Sequence, residues 1–217
     1  MTQKILKSSV TIASVSLCLA IFSSYPAFQM SKLGVFEFGG LTFHFVLAFS
    51  SLVFMLSIPL FFGKHILGKN TGEFGFCIPQ NSGVAMKLAI ICLLIFMPIV
   101  FILSKEHSVQ NFYLIKNGFG IFFILATISR GIYYIGEEFL FRGFMFFGLW
   151  DKIKIHSLWV TSLVFALLHM GKPVEEIFFS FFLSLSLCFI SLKTKSFLPS
   201  FVIHFVLAIT LNVLVTT

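Results

Sequence analysis

Glu137, Glu138 and Arg142 are three ionisable side chains inside an otherwise apolar stretch that runs from Phe119 to Leu149. A charge near the middle of a bilayer costs about 2.5–3.5 kcal/mol on insertion scales, so such a cluster persists only with partners and a purpose. The chain's two arginines, Arg130 and Arg142, both lie in this stretch. On a helix Glu138 and Arg142 stand one turn apart and can pair, while Glu137 points about 100° away from Glu138. One carboxylate is thereby left free to face something else.

Two histidines, His169 and His204, also fall within apolar runs. A carboxylate with two imidazoles in a low-dielectric pocket suits general-base catalysis on water, and imidazole N–H groups can stabilise the oxyanion of an attacked amide. Glu137, His169 and His204 would equally supply three ligands to a zinc ion. The bland alternatives are a satisfied Glu–Arg ion pair and two histidines that merely pack.

The elements that must position these groups are membrane helices. The 217 residues are 58% hydrophobic and only 11% charged, with a mean hydropathy of +1.03, whereas soluble domains carry about a quarter charged residues. The net charge of +7 does not indicate nucleic acid, because the lysines lie in short loops between apolar runs and form no basic stripe. Cys18, Cys77, Cys92 and Cys188 are far apart and show no metal or disulfide spacing.

The apolar runs predict an all-α, polytopic bundle of about seven spans: Val10–Phe28, Leu41–Phe62, Val84–Leu103, Phe119–Leu149, Leu158–Met170, Val174–Leu192 and Phe197–Val215. The first resembles a signal peptide but lacks a good cleavage site and is read as a retained span. The fourth exceeds the length of one crossing, and is either a long tilted helix or one broken near Arg130. Residues 1–118 then form an N-terminal group of three spans, and 119–217 a catalytic core. With the N-terminus in the cytosol, Lys4, Lys7, Lys64, Lys69, Lys152, Lys154, Lys193 and Lys195 lie inside; Lys32, Lys105, Lys116 and Lys172 lie outside. Helical rise then carries Glu137, Glu138, His169 and His204 to depths of roughly 10–18 Å from the cytosolic side. His44, in the second span, is read as structural. Glu175 and Glu176, after Lys172-Pro173, read as a helix start.

Glu137-Glu138-x-x-x-Arg142, Phe165-Ala-Leu-Leu-His169 and Ser196-Phe-Leu-Pro199-Ser200-x-x-x-His204 together resemble the motifs of the CPBP family, the CAAX-protease and bacteriocin-processing (Abi) intramembrane peptidases. The resemblance spans Gly136 to Asn212, and Glu73-Phe-Gly-Phe-Cys-Ile-Pro79 is similar to a loop many members carry. It implies a metal-independent glutamate peptidase without a cofactor. In it Glu137 activates water with the help of His169, Glu138 and Arg142 form the supporting pair, and His204 helps to bind the oxyanion. Where the family usually has Asn or Asp four residues after the last histidine, this chain has Ala208; Asn212, a further turn along, is the candidate substitute.

The implied partners are a peptide or membrane-protein substrate and the bilayer. The implied location is the bacterial plasma membrane, with cleavage near its cytosolic face. The compact size resembles the bacterial branch, which leaves peptide pheromones, bacteriocin leaders and membrane-protein remnants all open as substrates, rather than the eukaryotic branch that takes prenylated CAAX peptides. Two other functions remain open on the sequence: a non-catalytic scaffold or bacteriocin-immunity protein of the same fold, motivated by Ala208, and a proton-coupled transporter using the buried Glu, Arg and His groups.

Overall fold

The computed structural model describes residues 2–113 and 120–216, with the side chains of residues 2–7 left aside. The boundary expected between residues 118 and 119, and Lys116, lie outside the described residues. Helices account for the fold: α1 (Thr2–Lys32), α2 (Leu41–Ser51), α3 (Ile58–His65), α4 (Ser82–Leu103), α5 (His107–Tyr113), α6 (Ile121–Glu138), α7 (Phe146–Ile153), α8 (His156–Leu167), α9 (Val174–Thr194) and α10 (Leu198–Thr216). Among the described residues five helical units are long and apolar enough to cross a membrane: Ser8–Lys32, Leu41–His65, Ser82–Leu103, Val174–Thr194 and Leu198–Thr216. The α6–α7 unit and the shorter α8 supply the remaining two expected segments.

Small residues let these helices approach. In α1, Ser9, Ser16 and Ser23 recur every seventh residue on the buried face with Ala20 and Ala27, a pattern that brings backbones close where lipid supplies no hydrophobic drive. Between α8 and α9, which pack on one another, the same role falls to buried Ser157, Thr161 and Ser162 of α8 and Ser184 of α9, while Ser191 of α9 pairs its hydroxyl with that of Ser200 of α10 at 2.8 Å. Gly136 is a contact of the same kind, since a Cβ there would lie 2.5 Å from Ser51 Oγ and 3.0 Å from the Ser51 carbonyl oxygen. Two apolar clusters fill the interior. One joins Ile12, Met55 and Phe74 to Phe139–Leu149 and Phe197; the other joins Cys92, Phe96 and Val100 of α4 to Leu183, Leu187, Ile203 and Leu207.

The fourth span is not broken near Arg130: α6 runs unbroken through it. The irregularity lies more than two turns later, where Phe139–Met145 widens into a π-helical turn before α7. A second π turn, Leu52–Ser57, links α2 to α3 and packs against the first. π turns insert a residue into the helical register and recur at functional sites. Here the insertion follows Glu138 directly, and Gly143 within it leaves the Phe74 carbonyl room to approach, a Cβ there lying 2.9 Å from that oxygen.

The connections gather at two ends. At one end the α3–α4 loop docks on the α9–α10 loop, with Gln80 N–H donating to Thr194 O, Phe197 N–H to Gly75 O and Ser196 Oγ to Cys77 O. Lys69 meets Asp151 of α7 there. At the other end lie the α1–α2 loop, α5 and the α8–α9 turn. α8 has 12 residues, about 18 Å at 1.5 Å per residue, against a hydrocarbon core of about 30 Å. The turn after it lies at the rim of the cavity, to which His169, Met170, Gly171 and Lys172 all contribute.

Candidate active site

Glu138 is the buried centre of the site. Its Oε1 lies 3.0 Å from Arg142 Nη1 and 2.7 Å from His204 Nδ1, and Glu138 and Arg142 are both fully buried. Arg142 also lays its guanidinium over the Phe165 ring, 4.2 Å from the centroid. Taking either charge out of water would cost several kcal/mol alone, so each holds the other in place.

Glu137, one residue earlier and turned away from that pair, lines a cavity of about 770 Å³. Tyr133 OH donates to its Oε1 at 3.2 Å, and its Oε2 lies 3.7 Å from His204 Nδ1. Tyr133 precedes it by one turn of α6 on the same face, and Tyr134 packs its ring 4.5 Å from that of His204. The tyrosines went unnoticed in the sequence; the four-residue spacing of Tyr133 and Glu137 was the available signal.

His204, on α10, also lines the cavity. With Nδ1 committed to Glu138, Nε2 is its remaining ring nitrogen. His169 lines the same cavity, though not from the middle of a span: α8 ends at Leu167 and His169 sits in the turn after it. Its Nδ1 is 2.9 Å from the Phe165 carbonyl oxygen and its ring centroid 4.7 Å from that of Phe165. Phe165 thus fixes His169, His204 and Arg142 at once, with the His204 ring 5.9 Å away on another side.

Asn212 reaches the cavity from two turns beyond His204. Its Nδ2 donates to the Ala208 carbonyl oxygen at 2.7 Å, while its buried Oδ1 has no hydrogen-bond partner among the described residues. His44, read from the sequence as structural, also lines the cavity, with Nε2 3.4 Å from Nη2 of Arg130, another lining residue. Glu176, read as a helix-start acid, does stand in the first turn of α9, and there it also accepts from Tyr113 OH at 2.6 Å and pairs with Lys172 Nζ at 2.6 Å. Burial works to lower the Lys172 pKa, but Tyr113 and Glu176 outweigh it and hold the ammonium well above its ordinary range.

Among the described residues the atoms closest to a metal-binding arrangement belong to Glu137, Glu138 and His204, whose ligand atoms lie within 4.8 Å of one another. This differs from the zinc set considered on the sequence, since His169 is not part of it. The donor set fits a cation poorly: the shared carboxylate already neutralises Arg142 at 3.0 Å, and a dication beside that guanidinium would meet like-charge repulsion in a medium that screens little.

Residues 116–210 match the family model described as type II CAAX prenyl endopeptidase Rce1-like. Over this segment the chain is similar to the CAAX-endopeptidase family. The match covers Glu137, Glu138, Arg142, His169 and His204 and agrees with the CPBP resemblance. No curated protein and no solved structure matches the chain.

Proposed function

We propose that the protein is a glutamate-type intramembrane endopeptidase that hydrolyses a peptide bond with water activated by Glu137. The observation that carries this reading is the division of labour between adjacent glutamates: Glu138 is neutralised by Arg142 and His204 behind the wall, while Glu137 faces the cavity. Glu137 takes a proton from water as the oxygen attacks the carbonyl carbon. The electron pair moves onto the carbonyl oxygen, and the resulting oxyanion is met by an Nε2–H donor of His204 or by the amide of Asn212. Collapse of the intermediate breaks the C–N bond, and Glu137 passes its proton to the leaving amine. Glu138 positions His204, His169 assists from across the cavity, and no metal or other cofactor takes part.

The membrane is proposed to be a bacterial plasma membrane with the N-terminus in the cytosol, on the lysine distribution. A second reading, a scaffold or immunity protein of this fold, is favoured by one observation: the amide that would complete the site is missing at Ala208, and Asn212 bonds back to its own helix. The deciding experiment compares terminal-peptide proteomes of membranes from cells expressing the wild-type chain or Glu137→Gln at equal levels. New chain ends seen only with wild type establish proteolysis. Identical profiles, with Glu137→Gln still complementing a deletion, establish the scaffold.

A further inference from the structure

The two ends of the bundle differ in both access and charge. The walls of the 770 Å³ cavity draw on the α1–α2 loop (Glu37–Gly40), on α5 (Asn111–Tyr113) and on Gly171 and Lys172. The opposite end contributes no wall among the described residues, and its loops are tied to one another by Gln80–Thr194, Gly75–Phe197 and Cys77–Ser196 hydrogen bonds. From Glu137 the cavity therefore extends towards the loops containing Glu37 and Lys172, and away from Lys69.

Lysines are distributed the other way. Lys64, Lys69, Lys152, Lys154, Lys193 and Lys195 belong to the tied end, as does Lys87 in the first turns of α4, whereas Lys32, Lys105 and Lys172 belong to the cavity end. Of those last three, Lys172 is neutralised by Glu176. Loops rich in lysine stay in the cytosol, so the tied end is the cytosolic one. A cleavage site near the cytosolic face, expected from the sequence, would require the cavity to open at the lysine-rich end, and its walls lie at the other.

We propose that the cavity opens to the non-cytosolic side of the membrane and that its substrate is a polypeptide already translocated: the outer end or loop of a membrane protein, or a secreted peptide. Cleavage by this site then follows a translocation or secretion step, which must supply the substrate. The substrate class rests on the peptidase reading; the direction of opening does not.

The test uses the full chain with Cys18, Cys77, Cys92 and Cys188 replaced by Ser and one cysteine introduced at a time. Val35→Cys marks the cavity end, where Val35 is 61% exposed, Ala208→Cys marks the cavity wall, and Asn70→Cys marks the exposed opposite loop. Intact cells are treated with a membrane-impermeant maleimide. The expected result is labelling of Val35→Cys and Ala208→Cys in intact cells, with Asn70→Cys labelled at least about tenfold more after permeabilisation. Labelling of Asn70→Cys in intact cells, or of Val35→Cys only after permeabilisation, overturns the proposal. So does an Ala208→Cys that stays unlabelled while Val35→Cys reacts. If the serine background does not accumulate, alkaline phosphatase fused after Val35 or after Asn70 of the otherwise native chain gives the same decision: activity only at Val35 supports the proposal, and activity only at Asn70 overturns it. Neither readout involves catalysis, so a failure here leaves the Glu137→Gln proteome comparison free to support or reject the peptidase by itself.

Discussion

Glu138 Oε1 stands 2.7 Å from His204 Nδ1, and that contact joins α6 to α10 through the most deeply buried charge in the site. The same oxygen is 3.0 Å from Arg142 Nη1, so one carboxylate sets the position of both the imidazole and the guanidinium. Glu137 needs no share in this support and is left to face the cavity.

Glu137→Gln keeps the volume and the Tyr133 contact while removing the base. Peptide cleavage is expected to fall by about 10²–10⁴-fold, with melting temperature in detergent within a degree or two of wild type. Activity and thermal unfolding measured on the same preparation check this. A large loss of stability would mean that Glu137 supports the fold instead.

Arg142→Ala removes the guanidinium from Glu138 in a site with no exposure and leaves His204 as its remaining partner. A loss of about 3–5 kcal/mol is expected, the usual cost of breaking a buried pair from one side. Glu138→Gln with Arg142→Met should be much less damaging than Arg142→Ala, because both charges leave together. Thermal unfolding in detergent, or the folded yield from membranes, reads the difference.

Gly136→Ala pushes a methyl group against both the hydroxyl and the carbonyl oxygen of Ser51. Overpacking of this kind costs about 1–3 kcal/mol. Ser51→Gly in the same chain should recover only part of it, since the carbonyl oxygen at 3.0 Å remains. Full recovery would show that the hydroxyl alone makes the contact.

If Asn212 supplies an oxyanion donor, Asn212→Ala should lower kcat by about 10²–10³-fold with KM little changed. Ala208→Asn in that background restores an amide one turn from His204 and is expected to recover activity. Unchanged kcat in Asn212→Ala would assign oxyanion binding to His204 alone. Chelator treatment is expected to leave cleavage untouched, and metal content measured beside activity checks this.

The Lys172–Glu176–Tyr113 cluster gives a pH expectation with a definite sign. The folded pKa of Lys172 is raised, so the folded state holds its proton more tightly than the unfolded chain. The resulting stability is complete below the unfolded value of about 10.4 and is lost as pH rises from there through the folded pKa. Burial raises the pKa of Tyr113 as well, and its loss lies in the same alkaline direction. Melting temperature should be insensitive to this cluster from pH 6 to 9 and fall above about 10; the fall should shrink in Lys172→Met.

The class of fold and the pairing at the site's centre follow from the order of residues alone. Apolar runs long enough to span a bilayer leave helices as the economical way to satisfy their backbone, and a four-residue spacing brings Glu138 to Arg142 on any helix or π turn that follows it. Other features depended on contacts between distant segments. Tyr133 was near enough in sequence to be found from its spacing to Glu137, but His44 meets Arg130 only because α2 packs on α6 at Gly136 and Ser51. His169 could not be placed by counting residues into a span, because α8 ends at Leu167 and a turn sets the histidine against Phe165. The π turn after Glu138 has no periodic signature, since one inserted residue shifts the register only locally. The direction of the cavity was beyond reach of the motifs altogether: lysine counts can orient a chain, but only packing of the loops shows which end is tied shut and which end carries the walls around Glu137.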